Sequence, residues 1–119
     1  MNDDDNAAIL TQLMKVIEDR KANLSARSYT TSLLKGGVDK IGEKILEEAN
    51  EVVEAARETT DDRRDHVIHE AADLIYHLFV LLGYSDVGLH EVEAELARRF
   101  GTSGLDEKAS RGRADDTKE

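Results

Sequence analysis

The chain has 119 residues and a formal net charge of −10, with 35% charged residues and no cysteine, proline or tryptophan. That length holds one domain with a modest core and excludes two. The charge excludes a nucleic-acid backbone as partner, and the lack of cysteine excludes disulfides, thiolate metal sites and a cysteine nucleophile.

Ala, Leu, Glu, Lys and Arg dominate the composition, which predicts an all-α protein. The opening MNDDDNAA has neither the basic region nor the apolar stretch of a signal peptide. Ala7 to Lys21 reads as the first helix, with Ile9, Leu10, Leu13, Met14, Val16 and Ile17 at helical spacing. Ser28 to Lys35 reads as a short helix or turn, capped by Ser28 and closed by Gly36-Gly37. A helix from about Asp39 to Glu58 follows, then a tight polar connection at Thr60, Asp61 and Asp62. The next helix, about Asp62 to Tyr84, is the most hydrophobic element, yet its nearly apolar run from Leu74 to Leu82 is too short to span a bilayer. A soluble, cytoplasmic protein without a membrane partner is the expectation. Asp86 to Phe100 forms the last helix, and residues 101–119 read as a polar, flexible tail behind a single domain over 1–100.

Two acidic pairs stand out. At about 100° per residue, Glu70, Asp73 and His77 share one narrow sector of an otherwise greasy helix. Carboxylates there are costly unless paired, hydrogen-bonded or metal-bound. Either they form a site, or they are a short polar stripe reaching water with His77 paired to Asp73. On the preceding helix Glu47, Glu51, Glu54 and Glu58 lie opposite the apolar face, in line with Lys40 and Lys44, as a solvated face would. Glu48 differs, sitting at the border of the apolar face. With a short connection near Thr60 the two helices form an antiparallel hairpin. Glu48/Glu51 and Glu70/Asp73 then lie at the same height, roughly 16 Å from the turn. Two unrelated solvated faces would match in height only by chance.

Converging all-oxygen ligands select Mg²⁺, or Mn²⁺, over zinc, and such a cation bridges carboxylates to substrate phosphates. It would also answer the repulsion that the charge of this chain sets against any phosphate-bearing small molecule. The chemistry this suits is attack of a metal-activated water on a phosphoanhydride. Glu47 is a candidate base or supporting partner for that water, and Lys40 and Lys44 are candidates to neutralise phosphate oxygens, with surface pairing as their other reading.

The pattern Glu48-x-x-Glu51 followed by Glu70-x-x-Asp73 resembles the metal motif of the MazG-like all-α nucleotide pyrophosphohydrolases. Ser28-Tyr29-Thr30, Leu33, Gly37, Lys40-Ile41, Lys44 and Glu47-Glu48, with Asp73-Leu74-x-Tyr76-His77-Leu78, are similar to the phosphoribosyl-ATP pyrophosphatase family within them. The resemblance covers roughly residues 7 to 100. It implies a bundle of four to five helices around a central hairpin, working as a homodimer. It also implies a Mg²⁺-dependent hydrolase of histidine biosynthesis that cleaves phosphoribosyl-ATP to phosphoribosyl-AMP and pyrophosphate. Glu48, Glu51, Glu70 and Asp73 would be its metal ligands, with Glu47, Lys40 and Lys44 in support. One departure is Gly36, where many relatives have lysine, with Lys35 as the available substitute. The alternatives are a MazG-like house-cleaning enzyme acting on free nucleoside triphosphates, and a non-catalytic helical adaptor with an acidic face.

Overall fold

The computed structural model describes residue 6 and residues 8–101. Among these residues there are four helices and no strand: α1 (Ile9–Ala22), α2 (Tyr29–Arg57), α3 (Arg63–Tyr84) and α4 (Leu89–Phe100). The expected tail lies outside the described residues from position 102 onward.

α2 is two helices in one. Ser28, in extended conformation, caps it by accepting a hydrogen bond from the Thr31 N–H at 3.0 Å. At Gly37 the backbone takes φ 79° and ψ −170°, a combination open essentially to glycine alone. The two limbs therefore meet at a sharp break, where the sequence expects a helix closed by Gly36-Gly37. The hydrogen bond of Lys40 to the Ser32 carbonyl, at 3.5 Å, joins the second limb to the first.

The second limb and α3 then pack along their length as a helix hairpin, joined by residues 58–62. The joint is pinned by short polar contacts. Thr60 donates to Asp62 at 2.5 Å, and His66 reaches back to Glu58 at 2.8 Å. α1 lies mainly on α3. Its close approach depends on Gly83, where a Cβ would stand 2.7 Å from Ile17 Cγ2. Lys21 ties the ends of α1 and α3 together, donating to the Tyr84 carbonyl at 2.9 Å and to Asp86 at 2.6 Å. The core is Met14 and Ile17 from α1, Leu33, Leu34, Ile41 and Ala55 from α2, and Phe79 and Val80 from α3. Ile17, Leu33, Ile41 and Val80 are fully buried, each stabilising the fold by about 1.5–3 kcal/mol.

The apolar residues expected to line each helix do not all go inside. Leu46, Val53, Ile68, Ile75 and Leu78 remain exposed along the hairpin. The expectation that nothing here is long enough to span a bilayer was drawn from nine residues, and it needs correction for α3. That helix has 22 residues and suffices by length and composition. It carries Glu70 and Asp73 near its midpoint and packs against both α1 and α2.

The chain divides after Val87 into two units. In the second, α4 opens with Glu91 accepting from the Gly88 N–H at 2.8 Å. Nearer its end Glu95 is gripped by Arg98 at 2.5 Å and Arg99 at 2.8 Å.

Candidate active site

Ile41, Glu48 and Ala55 recur at two-turn spacing and are the buried positions of the second limb of α2. Glu48 is thus not at the border of the packed stripe but inside it, only 8% exposed. Glu70 and His77 repeat that spacing on α3 and are buried in the same way. The hairpin sets these stripes against each other. Glu48, Glu51 and Glu70 offer carboxylate oxygens that all lie within 4.8 Å of one another. Asp73 does not join that trio within the same radius. It groups instead with Glu70 and His69, whose ring lies 3.4 Å from the Asp73 carboxylate. Glu70 belongs to both groups and links them.

Burial, followed by the hydrogen bond to Glu70 and the charges of Glu51, Asp73 and Glu70, pushes the Glu48 carboxyl up to about 7. Glu51 is raised as well, chiefly through its hydrogen bond with Glu70. Burial opposes the Glu70 charge too, but hydrogen bonds from Glu51 and Glu48, with His69 and His66 nearby, hold its carboxyl below the ordinary value. Even so, Glu48 Oε2 and Glu70 Oε1 are buried with no hydrogen-bond partner. Buried carboxylate oxygens left unsatisfied are expensive, and a hard divalent cation would satisfy both at once. The residues present fit such an ion: oxygen donors only, converging from two rigid helices.

Burial divides the α3 polar sector. Glu70 and His77 are buried while Asp73 keeps partial access to water, and His77 does not pair with the Asp73 carboxylate. Its Nδ1 donates to the Asp73 backbone carbonyl at 2.8 Å, leaving Nε2 to accept from the Tyr29 hydroxyl at 3.0 Å. Beside it, the hydroxyls of Thr30 and Tyr76 are hydrogen-bonded to each other. The segments Ser28-Tyr29-Thr30 and Tyr76-His77 therefore touch, a contact between residues 46 or more positions apart that no local pattern could announce.

The supporting candidates lie on the rim. Lys44 meets Glu47 at 3.6 Å, and its ammonium is held above its ordinary value first by Glu47 and then by Tyr29. Glu47 is half-exposed, and its charge acts on Glu51 of the trio. Lys40 is drawn to the Ser32 carbonyl instead of a carboxylate. Lys35 and Arg27 flank an open groove of about 410 Å³ edged by the hydroxyl residues Ser25, Ser28, Thr31 and Ser32. The sequence offers His66 as a partner for Glu70 one turn on and gives His69 only a surface place, yet both face site carboxylates. His66 bridges Glu58 and Glu70, the latter at 3.3 Å, which raises its pKa through the Glu58 hydrogen bond first. The available signal was their i, i+4 spacing to Glu70 and Asp73.

A family model described as phosphoribosyl-ATP pyrophosphohydrolase matches residues 10–100. The chain is 54% identical to the phosphoribosyl-ATP pyrophosphatase of Rhodopirellula baltica, over 86% of this chain and 85% of the relative. It is 50% identical to the phosphoribosyl-ATP pyrophosphatase of Geobacter metallireducens, over 93% of this chain and 97% of that one. Geotalea daltonii has a protein of the same name, 50% identical over 95% of this chain and 100% of its own length. With such matches running through both acidic pairs and the elements that carry them, the chain belongs to the phosphoribosyl-ATP pyrophosphohydrolase family.

Proposed function

We propose that this chain hydrolyses phosphoribosyl-ATP to phosphoribosyl-AMP and pyrophosphate, a step of histidine biosynthesis. The observation that carries the reading is the trio Glu48, Glu51 and Glu70, with two buried oxygens lacking partners, in a chain of this family. Glu48, Glu51, Glu70 and Asp73 would hold Mg²⁺, with Mn²⁺ as the alternative. When bound, the cation supplies charge neutralisation and polarisation of the phosphate oxygens. Water adds across the α–β phosphoanhydride: one P–O bond breaks, a hydroxyl stays on one phosphoryl group, and pyrophosphate leaves.

The chain's own residues do the rest. Glu47, adjacent to the trio but outside it, takes the proton of the attacking water. Lys44, beside both Glu47 and Glu48, offsets phosphate charge that the acids would otherwise repel. Lys40 is a second cation on the same limb. The hairpin keeps the carboxylates on helices and not on loops, which limits their drift from productive geometry.

The chain acts as a homodimer in this reading. Leu46, which is 74% exposed, and Val53 lie two turns apart on α2; Ile68 and Ile75 repeat that spacing on α3, with Leu78 one turn further on. A second copy of the hairpin would cover that stripe.

The test is pyrophosphate release from phosphoribosyl-ATP and from ordinary nucleoside triphosphates, with and without Mg²⁺. Release from phosphoribosyl-ATP that requires Mg²⁺ is the expected result. Release from the ordinary triphosphates alone would make the protein a house-cleaning enzyme, and none from any substrate would leave a non-catalytic helical module.

A further inference from the structure

Tyr29 is built in an unusual way for a surface residue. It is 51% exposed, yet both ends of its ring are fixed. Its hydroxyl is consumed by Nε2 of His77, which is itself buried and held in one tautomer by the Asp73 carbonyl. Its ring lies 6.2 Å from that of Tyr76 at an interplanar angle of 23°, and 5.9 Å from the His77 ring edge-on. Tyr76 is in turn fastened through its hydroxyl to buried Thr30. A tyrosine needed only for packing would be covered, and one needed for its hydroxyl would leave that group free. What remains available here is one rigid aromatic face.

The place of that face is equally specific. His77 stands one turn beyond Asp73 on α3, and Lys44, whose charge Tyr29 feels, stands one turn before Glu48 on α2. Tyr29 therefore stands about one turn beyond the carboxylate cluster along the hairpin, with the Lys44 charge acting on both Tyr29 and Glu48. A nucleotide has the same order of parts: phosphates that want cations, then sugar, then a flat heteroaromatic base. We propose that the exposed face of Tyr29 is the platform on which the base of the nucleotide stacks, and that Tyr76 and His77 are its positioning residues. This rests on the nucleotide pyrophosphohydrolase reading above and adds to it the subsite for the base. Stacking on a fixed ring recognises a base by its π-face and loses little conformational entropy, because the tyrosine is ordered before the ligand arrives.

Two measurements test it. In the first, the ring resonances of Tyr29 are followed by NMR while adenosine 5′-monophosphate or ribose 5-phosphate is added to the Mg²⁺-loaded protein. The chain has three tyrosines, so Tyr29→Leu identifies the signals. The mononucleotide should shift the Tyr29 ring and the sugar phosphate should not; equal shifts from both, or none from either, would overturn the platform. In the second, Tyr29→Leu should raise KM for phosphoribosyl-ATP by about ten-fold or more, with the smaller share of the effect on kcat. Tyr29→Phe, which keeps the ring and loses the tether to His77, should fall between the two proteins. An unchanged KM in a folded Tyr29→Leu protein would also overturn the proposal. If the wild-type protein fails to hydrolyse phosphoribosyl-ATP but adenosine 5′-monophosphate still shifts Tyr29, the base platform stands and the substrate reading alone falls.

Discussion

Glu95 on α4 and Glu48 on α2 carry the same functional group on the same kind of element, but in opposite company. Glu95 is clasped by Arg98 and Arg99, and those hydrogen bonds hold its carboxyl down to about 2. Glu48 is buried beside Glu51, Glu70 and Asp73, whose charges add to burial, and its carboxyl is pushed up to about 7. The first is a finished surface ion pair, which adds little to stability. The second is an unbalanced charge held in place by the packing of two helices, and a protein keeps such an arrangement where a ligand completes it.

The largest effect should come from unbalancing the site. Glu48→Gln, Glu70→Gln and Asp73→Asn should each lower turnover by at least about 100-fold, and a chelator should abolish it. The same Glu48→Gln change should leave the melting temperature of the metal-free protein unchanged or higher, because it removes one of the crowded like charges. A large drop in metal-free stability would mean that Glu48 is structural.

Next in size is the backbone break that lays the first limb of α2 beside the second. Gly37→Ala places a side chain at φ 79° and should cost on the order of 1–3 kcal/mol, read by thermal or denaturant unfolding. It should also loosen Tyr29 from His77. Leu46→Asp combined with Val53→Asp should convert a dimer to monomer in light scattering, while a chain that is already monomeric would show no change.

The two carboxylates also predict opposite responses to pH. A carboxyl raised in the folded state keeps its proton there longer than in the unfolded chain. For Glu48 the stability of the metal-free protein should therefore fall as pH rises from about 4.5 through about 7. Adding Mg²⁺ at neutral pH should reverse the loss and release protons. Glu95 works the other way: its contribution is present above about 4.5 and is lost as pH falls toward about 2. The smallest effect is therefore Glu95→Gln, which should change the melting temperature at pH 7 by no more than about 1–2 °C and flatten only the acid limb.

Much of this was legible in the chain. The helices fall where apolar periodicity, Ser28 and the glycines place them, because capping and helical spacing are local properties. The equal height of the two acidic pairs followed from counting residues on either side of a short turn, since helical rise is constant. What the sequence could not decide is which way each side chain faces once three helices compete for the same interior. It left Glu48 at a border and the structure buried it, and it expected four equal carboxylates where the structure forms a trio with Asp73 beside it. It noticed the Ser28-Tyr29-Thr30 and Tyr76-His77 segments without seeing that they touch. Periodicity fixes a face relative to its own axis. Only packing, with the return of the chain at Gly37, decides what that face meets.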